Sequence, residues 1–146
     1  MSLRVLLQSV LLFVVAMGVL GCDTQSPSEE TIAEVVEVLK QREKAIESKD
    51  LELYKTLIYS EYSEKGLFYD DIVEDLETLF SVEGDIRYEY QKARPSITMN
   101  SSRVIHMVEY HFAGSGKVKK FQEKLYLRKV NGTWLISGGM PLAVYR

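Results

Sequence analysis

The candidate pair for proton transfer in the second half of the chain is His106 and Glu123. They fall on adjacent predicted strands and on one face of the predicted sheet. They are diagonal neighbours there, because His106 is predicted to pair with Leu125 and Glu123 with Val108. A buried carboxylate raises the pKa of a nearby imidazole and can orient it as a general base, so the pair is a candidate catalytic site. The alternative is a hydrogen-bonded core histidine, with Glu123 reaching water near the open end of the domain.

Aromatic side chains could complete a pocket around this pair. Tyr88, Tyr90 and Tyr110 would supply hydroxyl donors, and together with Trp134 they are the candidate binding residues. The sequence contains no motif typical of phosphate-binding loops, dinucleotide sites, serine hydrolases or metal centres, and the two histidines fall on opposite predicted faces. We therefore expect neither a metal ion nor a cofactor.

The elements that must position these residues are strands, because residues 86–140 alternate between apolar and polar side chains. The first strand begins after Asp85. It is interrupted at Pro95, since proline cannot donate to a neighbouring strand, and it resumes at 97–99. Three longer strands are predicted over 103–112, 117–130 and 133–140.

Two tight turns determine the predicted pairing of the strands. A two-residue loop at Ser115-Gly116 gives the diagonal arrangement described above, and one at Asn131-Gly132 pairs Leu127 with Ile136 and Leu125 with Gly138. Both hairpins place the same side chains on one face, whereas a shift by one residue would bury lysines and an arginine. The face expected to contact the helices comprises Val104, His106, Val108, Tyr110, Phe121, Leu125, Leu127, Trp134 and Ile136.

Residues 29–84 instead show apolar side chains at spacings of three and four, which is the period of helices. Ser26 is predicted to cap the first helix, Asp50 a second and shorter one, and Asp70 or Asp71 a third. The solvated face of the first helix is expected to carry Lys40, Arg42, Glu43, Lys44 and Glu47.

Three helices followed by an antiparallel meander form an α+β pattern that resembles the nuclear-transport-factor-2-like (SnoaL-like) superfamily. The resemblance rests on element order, the length of the mature chain, the break at 48–50 and the terminal hairpin at 131–136. It covers residues 29–140. It implies a cone-shaped domain in which three N-terminal helices pack on a curved four-stranded antiparallel sheet. The alternative is another helix-on-meander domain, such as a cystatin-like one.

Composition limits the class of protein. The chain has 146 residues, 46% of them hydrophobic, which is typical of one folded domain rather than a disordered chain. Its 18 basic and 21 acidic side chains give a formal net charge of −3, which argues against nucleic-acid binding. The single cysteine, Cys22, excludes an intramolecular disulfide.

The N-terminal segment predicts export. Residues 1–21 contain one charged side chain, Arg4, followed by an apolar run at 5–15 and small residues, which is the layout of a secretory signal. The sequence Val19-Leu20-Gly21-Cys22 resembles the lipobox of bacterial lipoproteins. The resemblance implies a diacylglyceryl group on the thiol of Cys22 and cleavage after Gly21. The alternatives are an uncleaved anchor helix and a soluble secreted form.

The predicted organisation is therefore a signal peptide over 1–21, a lipidated tether over 22–28 and a single α+β domain over 29–146. Asp23 resembles the residue that retains enterobacterial lipoproteins in the inner membrane. That resemblance implies the periplasmic face of the inner membrane in a Gram-negative cell.

Three functions fit these expectations, because members of this superfamily include both enzymes and modules without chemistry. The prediction we adopt is a membrane-anchored cell-envelope lipoprotein with a non-catalytic domain. It would bind an envelope protein or a small hydrophobic ligand, and it could form a homodimer. The second is a small-molecule enzyme, isomerase-like or dehydratase-like, with His106 as base and Glu123 orienting it. The third is a structural subunit of an envelope or secretion complex.

Overall fold

The computed structural model describes residues 26–91 and 93–140. The predicted signal peptide and the predicted lipidation residue Cys22 lie outside the described residues. Within them, three helices come first: α1 (Glu29–Glu47), α2 (Leu51–Thr56) and α3 (Tyr69–Phe80). No helix of the described part is long and apolar enough to cross a membrane.

Local hydrogen bonds explain where the helices begin. The prediction that Ser26 caps α1 is wrong: Ser28 is the N-cap, and its hydroxyl accepts from the backbone N–H of Thr31 at 3.1 Å. Asp50 caps α2 as predicted. The prediction that Asp70 or Asp71 caps α3 is wrong: the N-cap is Phe68, so the helix begins two or three residues earlier than expected. Asp71 instead acts from inside the first turn by accepting from the backbone N–H of Phe68.

Within the described ranges, seven strands accompany the helices and form two sheets. A short hairpin that the sequence did not reveal, β1 (Ser63–Glu64) with β2 (Leu67–Phe68), precedes α3. The main antiparallel sheet has the order β3-β5-β6-β7, with β4 also paired to β5, so β3 and β4 together are the interrupted first strand of the predicted meander. Its strands are β3 (Ile86–Tyr90), β4 (Ser96–Thr98), β5 (Ser101–Phe112), β6 (Lys117–Val130) and β7 (Thr133–Gly138).

The predicted pairing of β5 with β6 is wrong by two residues. Phe112 pairs with Lys117, so the loop between the strands has four residues rather than two. As a result His106 lies directly opposite Glu123, not diagonal to it. Because side chains alternate with a period of two, a shift of two leaves every residue on its predicted face.

The pairing of β6 with β7 is confirmed next to the Asn131-Gly132 turn, where Leu127 faces Ile136. Beyond that pair the register shifts between Tyr126 and Leu127, and Gly138 faces Tyr126 rather than Leu125. An extra residue at this point bends the strand, which is the ordinary effect of a β-bulge.

The helices cover the predicted inner face of the sheet. All the side chains expected there are buried except Phe121, which is half-buried. Helix α1 contacts β3 and β7, and the backbone at Ile58 adds an isolated parallel bridge to Ile136. The core therefore lies between α1 and the inner face of the sheet, where both candidate proton-transfer residues point.

Candidate functional site

Helix α1 delivers a positive charge to the middle of the core. Its buried side chains recur at spacings of three and four, and one member of that stripe is Arg42, which is 1% exposed. The expectation that Arg42 belongs to the solvated face is therefore wrong. The buried members of the stripe are Val35, Val38, Leu39, Arg42, Ala45 and Ile46.

The guanidinium of Arg42 forms a bidentate ion pair with the carboxylate of Glu123 on β6. Its Nη1 and Nη2 atoms donate to the two carboxylate oxygens at 2.8 and 2.7 Å, and Glu123 is 0% exposed. The remaining N–H groups donate to the hydroxyls of Tyr54 at 2.5 Å, Tyr88 at 2.7 Å and Tyr110 at 3.5 Å. All five donors of the guanidinium thus have an acceptor, which is what a buried arginine requires.

The same carboxylate also holds His106. The Nε2 atom of His106 lies 2.7 Å from Oε2 of Glu123, and Oε2 also accepts from the hydroxyl of Tyr88 at 3.4 Å. An ionised carboxylate can only accept, so Nε2 carries the proton in this contact. The Nδ1 atom of His106 is buried and has no hydrogen-bond partner among the described residues.

The electrostatics of this cluster follow from burial opposed by opposite charge. Burial alone would raise the pKa of Glu123, but Arg42 and the hydrogen bonds from His106 and Arg42 lower it below its ordinary value. Burial alone would lower the pKa of Arg42, but Glu123 raises it well above its ordinary value. The two side chains therefore stay ionised and neutralise each other's charge.

Burial has the opposite result for the surrounding phenols. It raises the pKa of Tyr54, Tyr88 and Tyr110, and the positive charge of Arg42 only partly offsets that effect. The three hydroxyls remain neutral and available as hydrogen-bond acceptors for the guanidinium.

The structure brings together most of the predicted site residues. His106, Glu123, Tyr88 and Tyr110 belong to one cluster, and the half-buried ring of Tyr90 lies 5.5 Å from the ring of His106. The expectation that Glu123 reaches water is wrong, since its side chain is fully buried.

Trp134 lies apart from the cluster. Its indole N–H donates to Glu34 on α1 at 2.9 Å, and the ammonium of Lys129 donates to the same carboxylate oxygen at 2.6 Å. The ring is 3% exposed and fixes β7 under α1. This arrangement is typical of a packing tryptophan rather than of a ligand platform.

Sequence reasoning missed two members of the cluster, Arg42 and Tyr54. The signal for Arg42 was its position, three residues after Leu39 and four before Ile46, which places it inside the apolar stripe. Tyr54 lies on α2, and its hydroxyl donates to the sulfur of Met140 at 3.3 Å while it accepts from Arg42. Only the contact with Arg42 shows that this tyrosine belongs to the site.

The cluster has little capacity for proton transfer to a substrate. A general base needs a free lone pair that a substrate can reach. The carboxylate of Glu123 is occupied by Arg42, His106 and Tyr88, and the one unpaired nitrogen, Nδ1 of His106, is buried. Within the described residues, no group of three or more side chains could hold a metal ion.

Comparison with known proteins identifies the fold. No protein-family model and no curated protein matches the sequence. Among solved structures, a nuclear-transport-factor-2-like protein of unknown function from Pseudomonas putida matches with a TM-score of 0.68 at 8% identity, over 83% of this chain and 95% of that chain. A protein of unknown function with a cystatin-like fold from Nostoc punctiforme matches with a TM-score of 0.63 at 14% identity, over 75% of this chain and 88% of that chain.

A third match is a protein for which a chemical activity has been proposed. A protein from Streptomyces avermitilis, proposed to be a dehydratase of the nuclear-transport-factor-2-like family, matches with a TM-score of 0.60 at 11% identity, over 75% of this chain and 93% of that chain. The predicted α+β fold, with helices packed on a curved antiparallel sheet as in nuclear-transport-factor-2-like and cystatin-like proteins, is confirmed. Similarity at this level shows the fold alone, because the same fold carries many functions.

Proposed function

We propose that this protein is a lipid-anchored binding protein of the bacterial cell envelope whose folded domain does no chemistry. Cys22 would carry the lipid, residues 23–28 would form the tether, and the domain would present its outer surface to a protein or small-molecule partner. Asp23 favours the periplasmic face of the inner membrane in a Gram-negative cell.

One observation carries the non-catalytic part of this proposal. The space between helices and sheet, where an enzyme of this architecture would hold its substrate, is occupied by the ion pair of Arg42 and Glu123 and by the tyrosines around it. Four of the surface depressions formed by described residues are lined by side chains other than Arg42, Glu123 and His106. Because the interior is filled by these side chains, it supports a function in which the partner binds at the outer surface.

The anchor is supported by the sequence around Cys22. A single acyl chain holds a protein to a bilayer only marginally, whereas two or three chains hold it stably, and the lipobox implies this stable form. The first helix begins at Glu29, so the lipidated residue would be close in sequence to the folded domain.

Metabolic labelling tests the anchor. We expect cells that express the full chain to incorporate a radioactive fatty acid into it, and the Cys22→Ala variant to incorporate none. The chain has one cysteine, so no second thiol can take over. A Cys22→Ala protein that labels as strongly as the original would contradict the anchor.

Chemical modification of the two histidines tests the non-catalytic interior. We expect diethyl pyrocarbonate to modify His111 much faster than His106, because the His111 side chain is 35% exposed and that of His106 is 1% exposed. Peptide mass spectrometry locates the adducts, and the same reaction in urea should modify both residues equally. Modification of His106 in the folded protein at the rate of His111 would indicate an open pocket and favour the enzyme hypothesis.

A further inference from the structure

The outer face of the main sheet carries a charge opposite to that of the helices. In β3 to β7, the side chains that point away from the core include five cations and two carboxylates, a formal charge of +3. The cations are Arg87, Arg103, Lys120, Lys124 and Arg128, and the carboxylates are Glu89 and Glu109. We call this set and the apolar side chains between them the basic face.

The helices are strongly acidic. There are six carboxylates in α1, one in α2 and five in α3, against four cations, which gives the helices a formal charge of −8. Charge is therefore segregated between two opposite sides of one small domain, while the whole chain has a formal net charge of only −3.

Apolar side chains lie among the cations of the basic face. Ile105 is 41% exposed at the middle of β5, Val118 is 54% exposed on β6, and Met107 is half-buried between them. Both carboxylates of the face already pair with its own cations: Glu109 with Lys120 at 3.0 Å, and Glu89 with Arg87. Lys124 lies directly opposite Ile105 in the register, so cation and apolar side chain adjoin at the centre.

We propose that the basic face docks on the anionic headgroups of the bilayer that holds the lipid anchor. This inference rests on the proposed anchoring at Cys22. Six residues separate Cys22 from α1 and span at most about 20 Å, which is comparable to the radius of a domain of this size. So short a tether keeps the domain at the bilayer surface, and the field of the anionic headgroups attracts the basic face and repels the helices.

A second copy of the chain fits the basic face poorly. Packing this face on its own copy would bring five cations against five, with each nearby carboxylate already paired within its own face. An anionic lipid surface meets the same cations with opposite charge and accommodates Ile105 and Val118 at the level of the headgroups.

Site-specific fluorescence on the full acylated chain tests the docking. In the acylated protein Cys22 is not a free thiol, so an introduced cysteine can be labelled uniquely with bimane. Ile105→Cys places the label on the basic face, and Thr78→Cys, an exposed position on α3, is the matched control. The proteins are reconstituted in vesicles of phosphatidylcholine, alone or mixed with phosphatidylglycerol, and the vesicles are isolated by flotation. Quenching of the bimane fluorescence by acrylamide then measures how accessible the label is.

We expect quenching of the Ile105→Cys label to fall several-fold on the mixed vesicles at low salt, and to recover at high salt because surface charges are screened. The Thr78→Cys label should be quenched equally on both kinds of vesicle. Adding the double change Arg103→Glu and Lys124→Glu should abolish the protection. Adding Lys40→Glu and Lys44→Glu on α1, an equal change in net charge, should preserve it.

The other outcomes overturn the inference. An Ile105→Cys label that stays accessible on floated mixed vesicles means that the face does not dock. Protection on phosphatidylcholine alone that grows with protein density means that a second copy covers the face. If the double change on α1 removes the protection of the Ile105→Cys label as fully as the double change on the basic face, net charge rather than orientation governs binding. Failure of both labelled proteins to float overturns the anchor itself, and with it the docking.

Discussion

Replacing Arg42 with methionine is expected to destabilise the domain by about 3–5 kcal/mol, because it leaves the carboxylate of Glu123 buried without its counter-charge. Domains of this size are stable by about 5–15 kcal/mol, so the change removes a large part of the total. With a typical urea dependence, the midpoint of unfolding falls by about 2 M. Urea unfolding followed by circular dichroism measures the loss.

Matched variants separate the ion pair from general effects. Lys40→Met, on the exposed side of the same helix, should change stability by about 0.5 kcal/mol or less. Combining Arg42→Met with Glu123→Leu removes both charges and should recover much of the loss. If Arg42→Met costs no more than Lys40→Met, the guanidinium does not hold a buried charge and the description of the core is wrong.

Alkaline pH is expected to unfold the domain steeply above about pH 10. The pKa values of Tyr54, Tyr88 and Tyr110 are raised in the folded state by burial, so the unfolded chain releases these protons first. A raised pKa gives stability that is fully present below the unfolded pKa and is lost as pH rises toward the folded one. Each phenol contributes about 1.4 kcal/mol per pH unit in that window, so three contribute about 4 kcal/mol per unit.

Two measurements check this result. Urea unfolding at a series of pH values gives the slope, and the absorbance of phenolate shows when the tyrosines ionise. In Tyr88→Phe, the slope above pH 10 should fall by the share of one phenol, about 1.4 kcal/mol per pH unit, whatever that variant's stability at neutral pH. Buried tyrosines that ionise near pH 10 without loss of stability would contradict the proposed cluster.

Much of the fold could be predicted because periodicity and burial agree. The alternation in 86–140 identified the strands and the correct inner face, and the Asn131-Gly132 turn fixed the pairing of Leu127 with Ile136. The loop between β5 and β6 was predicted two residues too short, since Gly114, Ser115 and Gly116 all favour turns and local sequence does not decide which residues pair. The β-bulge near Tyr126 left no sequence signal of its own.

The candidate site was only half predictable for a different reason. His106 and Glu123 were found because a polar residue on an apolar face of a strand stands out. Arg42 was assigned to water because a long cationic side chain on a helix is usually solvated, even when its spacing places it inside an apolar stripe. Its burial depends on Glu123, which lies 81 residues later in the chain, and no local pattern reveals a partner that distant.

That separation also determines when the domain can fold. A nascent chain emerges with α1 first, yet the acceptor that makes the burial of Arg42 favourable lies on β6, the penultimate strand. Until β6 is available, packing α1 into the core would bury the cation of Arg42 without its counter-charge. The first half of the chain therefore cannot reach its native packing alone. Formation of the core therefore waits for nearly the whole polypeptide, and contacts of such long range make that step slow.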